Sequence, residues 1–264
     1  MEASIRDANV LIVRITSQAH ELATREPVLA QWVAFLLEGR LSVGRVVARL
    51  LACHLSNSHV SQRELEDILT GVLATEAHLE DYCRADLDAV LRRDPASDTE
   101  FSIVLNSKGF QALQAYRISN CLWHGGRREL ARYMHGMACR TYSVDIHPAS
   151  RIGPGVMLDH ATGIVIGETA RIEEGVSLMQ GVTLGGTGKH KGDRHPKVKS
   201  GVLLGAGATV LGNVQIGENA RVAAGSVVLY DVPAASTVAG IPAQIVRQHN
   251  DRVPAEEMNQ LPSA

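Results

Sequence analysis

Residues 146–184 read IHPASRIGPGVMLDHATGIVIGETARIEEGVSLMQGVTL. An aliphatic residue or alanine recurs at every sixth position, at Ile146, Ile152, Leu158, Ile164, Ala170, Val176 and Val182. Beyond an irregular stretch the row resumes at Val198, Leu204, Val210, Ile216, Val222 and Val228, thirteen positions in all. Glycine and other small residues fill much of the space between, as in IGPGVM, LGAGAT and AAGSV. A helix of period 3.6 cannot keep every sixth residue on one side, and a strand alternates in two. A coil of short strands that turns a corner every six residues can, with one aliphatic side chain pointing inward each time.

The spacing resembles that of the hexapeptide-repeat acyltransferases, whose left-handed parallel β-helix takes three hexapeptides per triangular coil. By that resemblance the thirteen units, within about residues 146–245, make roughly four coils, each covering the backbone edges of its neighbours. Upstream, from Leu11 to about Cys139, the apolar spacing is helical. The run QWVAFLLEGRLSVGRVVARLLACHL carries Gly39 and Gly44 as points of a break or kink. Ser61 and Glu64 form a capping box ahead of LEDILTGVLA. The helix LEDYCRADLDAVLRRDP should stop near Asp94, because the residue before Pro95 is pushed out of helical torsions. The expected fold class is therefore α+β and multidomain: an N-terminal all-α helical domain over 1–140, then a left-handed parallel β-helix over 141–246 with a loop at 185–196. The tail, 247–264, has lost the repeat, is polar, and is expected to be flexible.

The totals narrow the function. Of the 264 residues 45% are hydrophobic and 20% charged, with a net charge of -2, which suits a soluble protein rather than one that coats nucleic acid. The opening MEASIRDANV has acid and base where a signal peptide needs an apolar core, and no apolar run reaches the roughly 18 residues of a membrane span. A cytoplasmic protein with no membrane partner is expected. Cys53, Cys83, Cys121 and Cys139 form no CxxC pair, so reduced thiols are expected, with neither a disulfide framework nor a cysteine-built zinc site.

The repeat is interrupted by GGTGKHKGDRHP, residues 185–196. Residues 189–199 hold Lys189, Lys191, Arg194, Lys197 and Lys199 against Asp193, a local charge of +4. Such a patch suits phosphates, of which coenzyme A is one source. Counting three hexapeptides per coil puts His195 at a different corner from His160, so a three-fold assembly could bring one subunit's loop against its neighbour's His160. Moving an acyl group from a thioester to an alcohol needs a base at the hydroxyl, and histidine suits that task. A carboxylate on the other ring nitrogen would fix the tautomer and stabilise the imidazolium, which nominates Asp145 with His160.

Together VDIHP, LDHATG, GVTLGGTG, DRHPK and AGIPA resemble the serine acetyltransferases, which make O-acetyl-L-serine from L-serine and acetyl-CoA on the route to cysteine. The resemblance implies that His160 is the general base and Asp145 its partner, with Asp94, Asp159, Arg194 and His195 around the amino acid. The family's Asp-Pro-Ala segment is matched by Asp94-Pro95-Ala96. The resemblance also runs the acetyl-CoA groove along the coil edge past Gly186, Thr187 and Gly188 towards Ala206 and Ala224. It implies acetyl-CoA as co-substrate with no metal, L-cysteine as a feedback inhibitor, and a homotrimer or a dimer of trimers. Docking into O-acetylserine sulfhydrylase, which the family commonly achieves through a C-terminal isoleucine, lacks that anchor in a chain ending NQLPSA. With no cysteine inside the repeat, direct attack in a ternary complex is expected.

Other readings are a hexapeptide acetyltransferase with a sugar or antibiotic acceptor, and a non-catalytic scaffold that uses the solenoid faces. A third is a zinc-dependent, carbonic anhydrase-like hydratase, because His190 and His195 are spaced H-x4-H and could join His160.

Overall fold

The computed structural model describes residues 2–39, 42–188, 191–249 and 253–261. Its helices are α1 Glu2–Arg25, α2 Ala30–Leu36, α3 Val43–Leu55, α4 Gln62–Thr75, α5 His78–Arg93, α6 Glu100–Asn106, α7 Lys108–His124 and α8 Arg128–Tyr142. The apolar run from Gln31 to Leu55 breaks at Gly39, which has φ +77. Gly44, by contrast, lies inside α3, where its amide donates to Glu80 Oε2 at 3.0 Å. The capping box of Ser61 and Glu64 starts α4, and α5 stops at Asp94, whose backbone is extended at φ -97, ψ 107.

From Asp145 the chain winds through three parallel faces. The first stacks Asp145–Ile146, Val165–Ile166, Thr183–Gly185, Thr209–Leu211 and Val227–Val228; the second stacks Arg151–Ile152, Arg171–Ile172, Lys197–Val198 and Gln215–Ile216. The third stacks Met157–Leu158, Ser177–Leu178, Leu203–Leu204, Arg221–Val222 and Ser236–Gly240, with Ala243–Gln248 antiparallel at its end.

The inward row differs from the expected one in one respect. Ile146 pairs with Ile166 and Ile166 with Leu184, so after Leu158 the strand positions are Ile166, Ile172, Leu178 and Leu184. Ile164, Ala170, Val176 and Val182 are fully or almost fully buried, but they fill the corners two residues earlier. The cause is a two-residue insertion: the step from Ile146 to Ile166 covers 20 residues, whereas Val210 to Val228 covers 18. The extra length is taken up in the turn after Leu158, where His160 and Ala161 both have positive φ, 52 and 60.

Two faces turn residues such as Arg151, Arg171, Val165 and Gln215 outward to solvent, but the outward residues of the third face, Met157, Ser177, Leu203 and Arg221, are buried. Helices α5 and α7 cover part of that face, and the end of the chain covers more. The polar tail is therefore not free over its described part. A short helix, α9 Pro254–Glu257, docks through Glu256 on Arg93 Nε (2.8 Å) and Glu257 on Arg221 (2.9 Å), while the Ala255 carbonyl accepts from Ser177 Oγ at 2.9 Å. The carboxylates of this tail find buried arginines as partners.

The open end of the β-helix is sealed by α5 and α7. Arg117 lies against Asp86 at 2.7 and 2.8 Å, with their side chains 3% and 0% exposed. Arg117 also donates to the carbonyls of Ile152 (3.1 Å) and Gly153 (2.7 Å), and Asp86 accepts the Val156 amide at 3.1 Å. Beside it Tyr116 donates to the Ser150 carbonyl at 2.7 Å, and one turn on Asn120 donates to that of Pro148 at 2.8 Å. At the start of α7 the contact is so close that a Cβ on Gly109 would lie 1.9 Å from the Leu158 carbonyl oxygen. Asp86→Ala leaves Arg117 buried and unpaired, and is expected to cost about 3–5 kcal/mol. A denaturant midpoint close to that of the parent would show that the pair does not seal the end.

Candidate active site

A cleft of about 730 Å³ lies where the end of α5, the start of α7 and the corner after Leu158 meet; Asp94, Pro95, Ala96, Lys108, Asp159 and His160 are among its walls. Asp94 closes α5 by accepting the Ala96 amide at 2.9 Å and the Ser97 hydroxyl at 2.6 Å, which fixes the Asp-Pro-Ala turn. Lys108 reaches the Thr162 hydroxyl from the other side. His160 stands 73% exposed with Nε2 4.0 Å from Asp159 Oδ2. Burial holds the Asp159 carboxyl above the ordinary range, His160 opposes that shift, and Asp94 adds to it. Two consecutive non-glycine residues at positive φ cost about 1–3 kcal/mol each, the kind of strain that accumulates at functional sites.

Asp145 is on the first strand, and its Oδ1 accepts from His135 Nε2 on α8 at 2.8 Å. That bond, with a further one to Cys139, pushes His135 up to about 9, and Asp145 falls below its usual range mainly through the same bond. Among the described residues no hydrogen bond joins Asp145 to His160; Oδ2 is left uncommitted.

Arg194 and His195 do not line the cleft. They leave from the opposite corner of the first face, as the coil count predicts, and are anchored within their own chain. Arg194 pairs with Glu168 Oε2 at 2.7 Å. Thr169 Oγ1 accepts the amides of Arg194 (3.0 Å) and His195 (3.1 Å) and contacts His195 Nδ1 at 2.9 Å. The Thr169 amide donates to the same Nδ1 at 3.2 Å, so in the neutral ring the proton sits on Nε2. Burial, then Arg194, lowers the His195 pKa. Lys189 and His190 lie outside the described residues.

The expected groove is divided between two corners. Gly207 donates its amide to the Gln180 carbonyl and Gly225 to that of Ala206, while Gly181 donates to Thr162. His160, Gln180, Ala206 and Ala224 thus climb one edge in successive coils, whereas Gly186, Thr187 and Gly188 lie at the next edge, across the first face. On the His160 edge the Ala206 amide donates to Gln260 Oε1 at 2.8 Å.

With this geometry in view, known proteins similar to the chain are informative. The model of the serine acetyltransferase N-terminal family matches residues 12–115, and that of the bacterial transferase hexapeptide (six repeats) matches 195–229. A serine acetyltransferase of Haemophilus influenzae is 46% identical over 246 residues, covering 93% of this chain and 92% of the relative. The chain belongs to the serine acetyltransferase family. Within the family, a solved serine acetyltransferase in complex with cysteine superposes with TM-score 0.94 at 44% identity, covering 96% of this chain and 99% of that one. A serine acetyltransferase of Brucella abortus in complex with coenzyme A gives 0.90 at 41% identity, covering 93% and 98%. The helical half and the β-helix both lie within these matches.

Against this family background, three residues that the sequence reading passed over stand next to the expected site. Glu168 and Thr169 hold the loop, and their signal is positional, directly after the inward Ile166. Gln180 stands one coil above His160, its buried Oε1 without a hydrogen-bond partner among the described residues; the corrected register finds it. His195 packs so closely on Gly167 that a Cβ there would lie 2.0 Å from the ring. Gly167→Ala should therefore expel the ring into solvent, remove the desolvation that lowers its pKa, and raise that pKa towards the ordinary 6.5. An NMR titration of the His195 ring reads this; an unchanged midpoint would mean that Gly167 does not set the burial.

Proposed function

We propose that the chain is a cytoplasmic serine O-acetyltransferase, which moves the acetyl group of acetyl-CoA to the hydroxyl of L-serine and releases O-acetyl-L-serine and CoA. The observation that carries this reading is the cleft at His160: an exposed imidazole at a strained corner, two carboxylates beside it, and small residues along the edge above. His160 takes the proton of the serine hydroxyl as it attacks the thioester carbonyl, and returns it to the departing thiolate. Asp145 keeps Oδ2 for the other imidazole nitrogen and stabilises the imidazolium. Asp94 and Asp159 receive the substrate ammonium. Arg194 has five N–H donors, and those that Glu168 and the Gly192 carbonyl leave can take the substrate carboxylate. The donor lies along the Ala206 and Ala224 edge, with Gly186, Thr187 and Gly188 brought to it by the loop of a neighbouring chain. Both substrates are held together, and attack is direct.

The separation of His160 and Arg194 onto two edges supports a homotrimer, alone or paired through the helical parts, in which a neighbour's loop completes each site. L-cysteine, which differs from serine by sulfur for oxygen, fits the same amino-acid pocket and would inhibit. The C-terminal residues 262–264, on which docking to the sulfhydrylase would turn, lie outside the described residues.

His160→Ala is expected to lower thiol release from acetyl-CoA with L-serine by about 10²–10⁴-fold, the usual contribution of a general base, without changing the assembly. Near-parental turnover would remove His160 from the role. Complementation addresses the shared site: His160→Ala and Arg194→Ala chains, each inactive, should recover part of the parental turnover when refolded together, because some interfaces then unite an intact His160 with an intact Arg194. No recovery in mixed trimers would place both groups in one chain's site.

A further inference from the structure

On α8, His135 and Cys139 lie one turn apart on the same face. After Tyr142 the chain reverses at Ser143, which is left-handed at φ 57, and Asp145 returns against that last turn. The result is a ring nitrogen of His135, Cys139 Sγ and a carboxylate oxygen of Asp145, all within 4.8 Å of one another. The shortest pair, Nε2 and Oδ1, is at 2.8 Å. Zinc bonds of about 2.1 Å to nitrogen and 2.3 Å to sulfur set edges of about 3.5 Å in a tetrahedron, between these limits. Asp145 is 53% exposed and His135 23%, so a cation can enter from solvent and keep a water on its remaining position. Thiolate and imidazole together select zinc and similar soft or borderline cations over magnesium or calcium.

We infer that His135, Cys139 and Asp145 form an inhibitory site for a zinc-class divalent cation. Binding makes metal–nitrogen, metal–sulfur and metal–oxygen bonds and breaks the hydrogen bond between His135 and Asp145. The proton of His135 Nε2 and that of the Cys139 thiol pass to solvent. The cation takes no part in acetyl transfer. It acts through Asp145: the metal–oxygen bond draws on the carboxylate's electron density and fixes its orientation, so that Asp145 stabilises the His160 imidazolium less. The inhibitory part rests on the role proposed above for Asp145.

The test uses the full chain, stripped with a chelator and titrated with cobalt(II) as a coloured stand-in for zinc. About one equivalent per chain should bind with a thiolate-to-cobalt absorption band, and zinc should displace it. Turnover, followed as loss of thioester absorbance, should fall about tenfold or more as either metal fills the site. Cys139→Ser should keep its metal-free turnover and lose both the band and the inhibition at the same metal concentration. No band, or a band that survives in Cys139→Ser, overturns the site; a band without loss of turnover overturns the inhibition. Asp145→Asn assayed without metal separates the two layers. Normal turnover there removes Asp145 from the proposed mechanism, whereas the parental cobalt band reports on the metal site by itself.

Discussion

The ion pair of Asp86 and Arg117 is the constraint on which the arrangement of the two halves depends. A β-helix that simply began would leave the carbonyls and amides of its first coil without partners in a place shielded from water, at a cost of about 1–3 kcal/mol for each unsatisfied group. Here the first coil is met by side chains of α5 and α7, with Arg117 on the Ile152 and Gly153 carbonyls and Asp86 on the Val156 amide. Burying two charges is unfavourable unless they are paired and their remaining hydrogen-bonding sites are filled. Gln114, which donates to Asp86 at 2.9 Å, fills one more. The seal is thus specific in register: a slip of α7 by one turn would move Arg117 and Tyr116 off the carbonyls they serve.

That register also builds the cleft. Asp86 and Asp94 are eight residues apart on one helix, about 12 Å along its axis, so fixing Asp86 at the Val156 amide fixes Asp94 near the corner after Leu158. Seating Arg117 likewise brings the first turn of α7 onto Leu158, where only glycine fits at position 109, and sets Lys108 on Thr162. The wall of the candidate site and the cap of the solenoid are therefore the same pair of helices, and stability and site geometry are coupled through them.

Much of this was legible in the sequence. The switch from helical spacing to a six-residue period located the start of the β-helix, the capping box located α4, and Pro95 located the end of α5. Each is a local rule that tertiary structure had no reason to override. The corner row from Ile164 to Val182 misled because hexapeptides bury two positions per unit, so a two-residue insertion moved the count from one buried row to the other without any loss of apolar character. The docked tail was illegible for a different reason: Glu256 and Glu257 look solvated until Arg93 and Arg221 are known to be buried beneath them. A hint was present in the outward row of the third face, where Met157, Ser177 and Leu203 replace the charged residues that the second face carries.

The two departures from the repeat have a common logic. One inserts two residues after Leu158; the other makes the step from Leu184 to Val198 fourteen residues long where six is regular. They fall at the two corners that bound the first face, one where the chain enters it and one where it leaves. A regular coil offers only backbone and short side chains at its edges, so reactive groups can be presented only where the period fails. Placing the failures on the two borders of one face separates His160 from Arg194 within a chain, and the same separation gives a three-fold assembly two complementary edges to bring together. The corner at His160 bears the backbone strain, and the loop at Arg194 bears the charge. A single insertion carrying both would have needed to fold back across the whole face, leaving its polar backbone to be satisfied without the neighbouring coils that now support each corner.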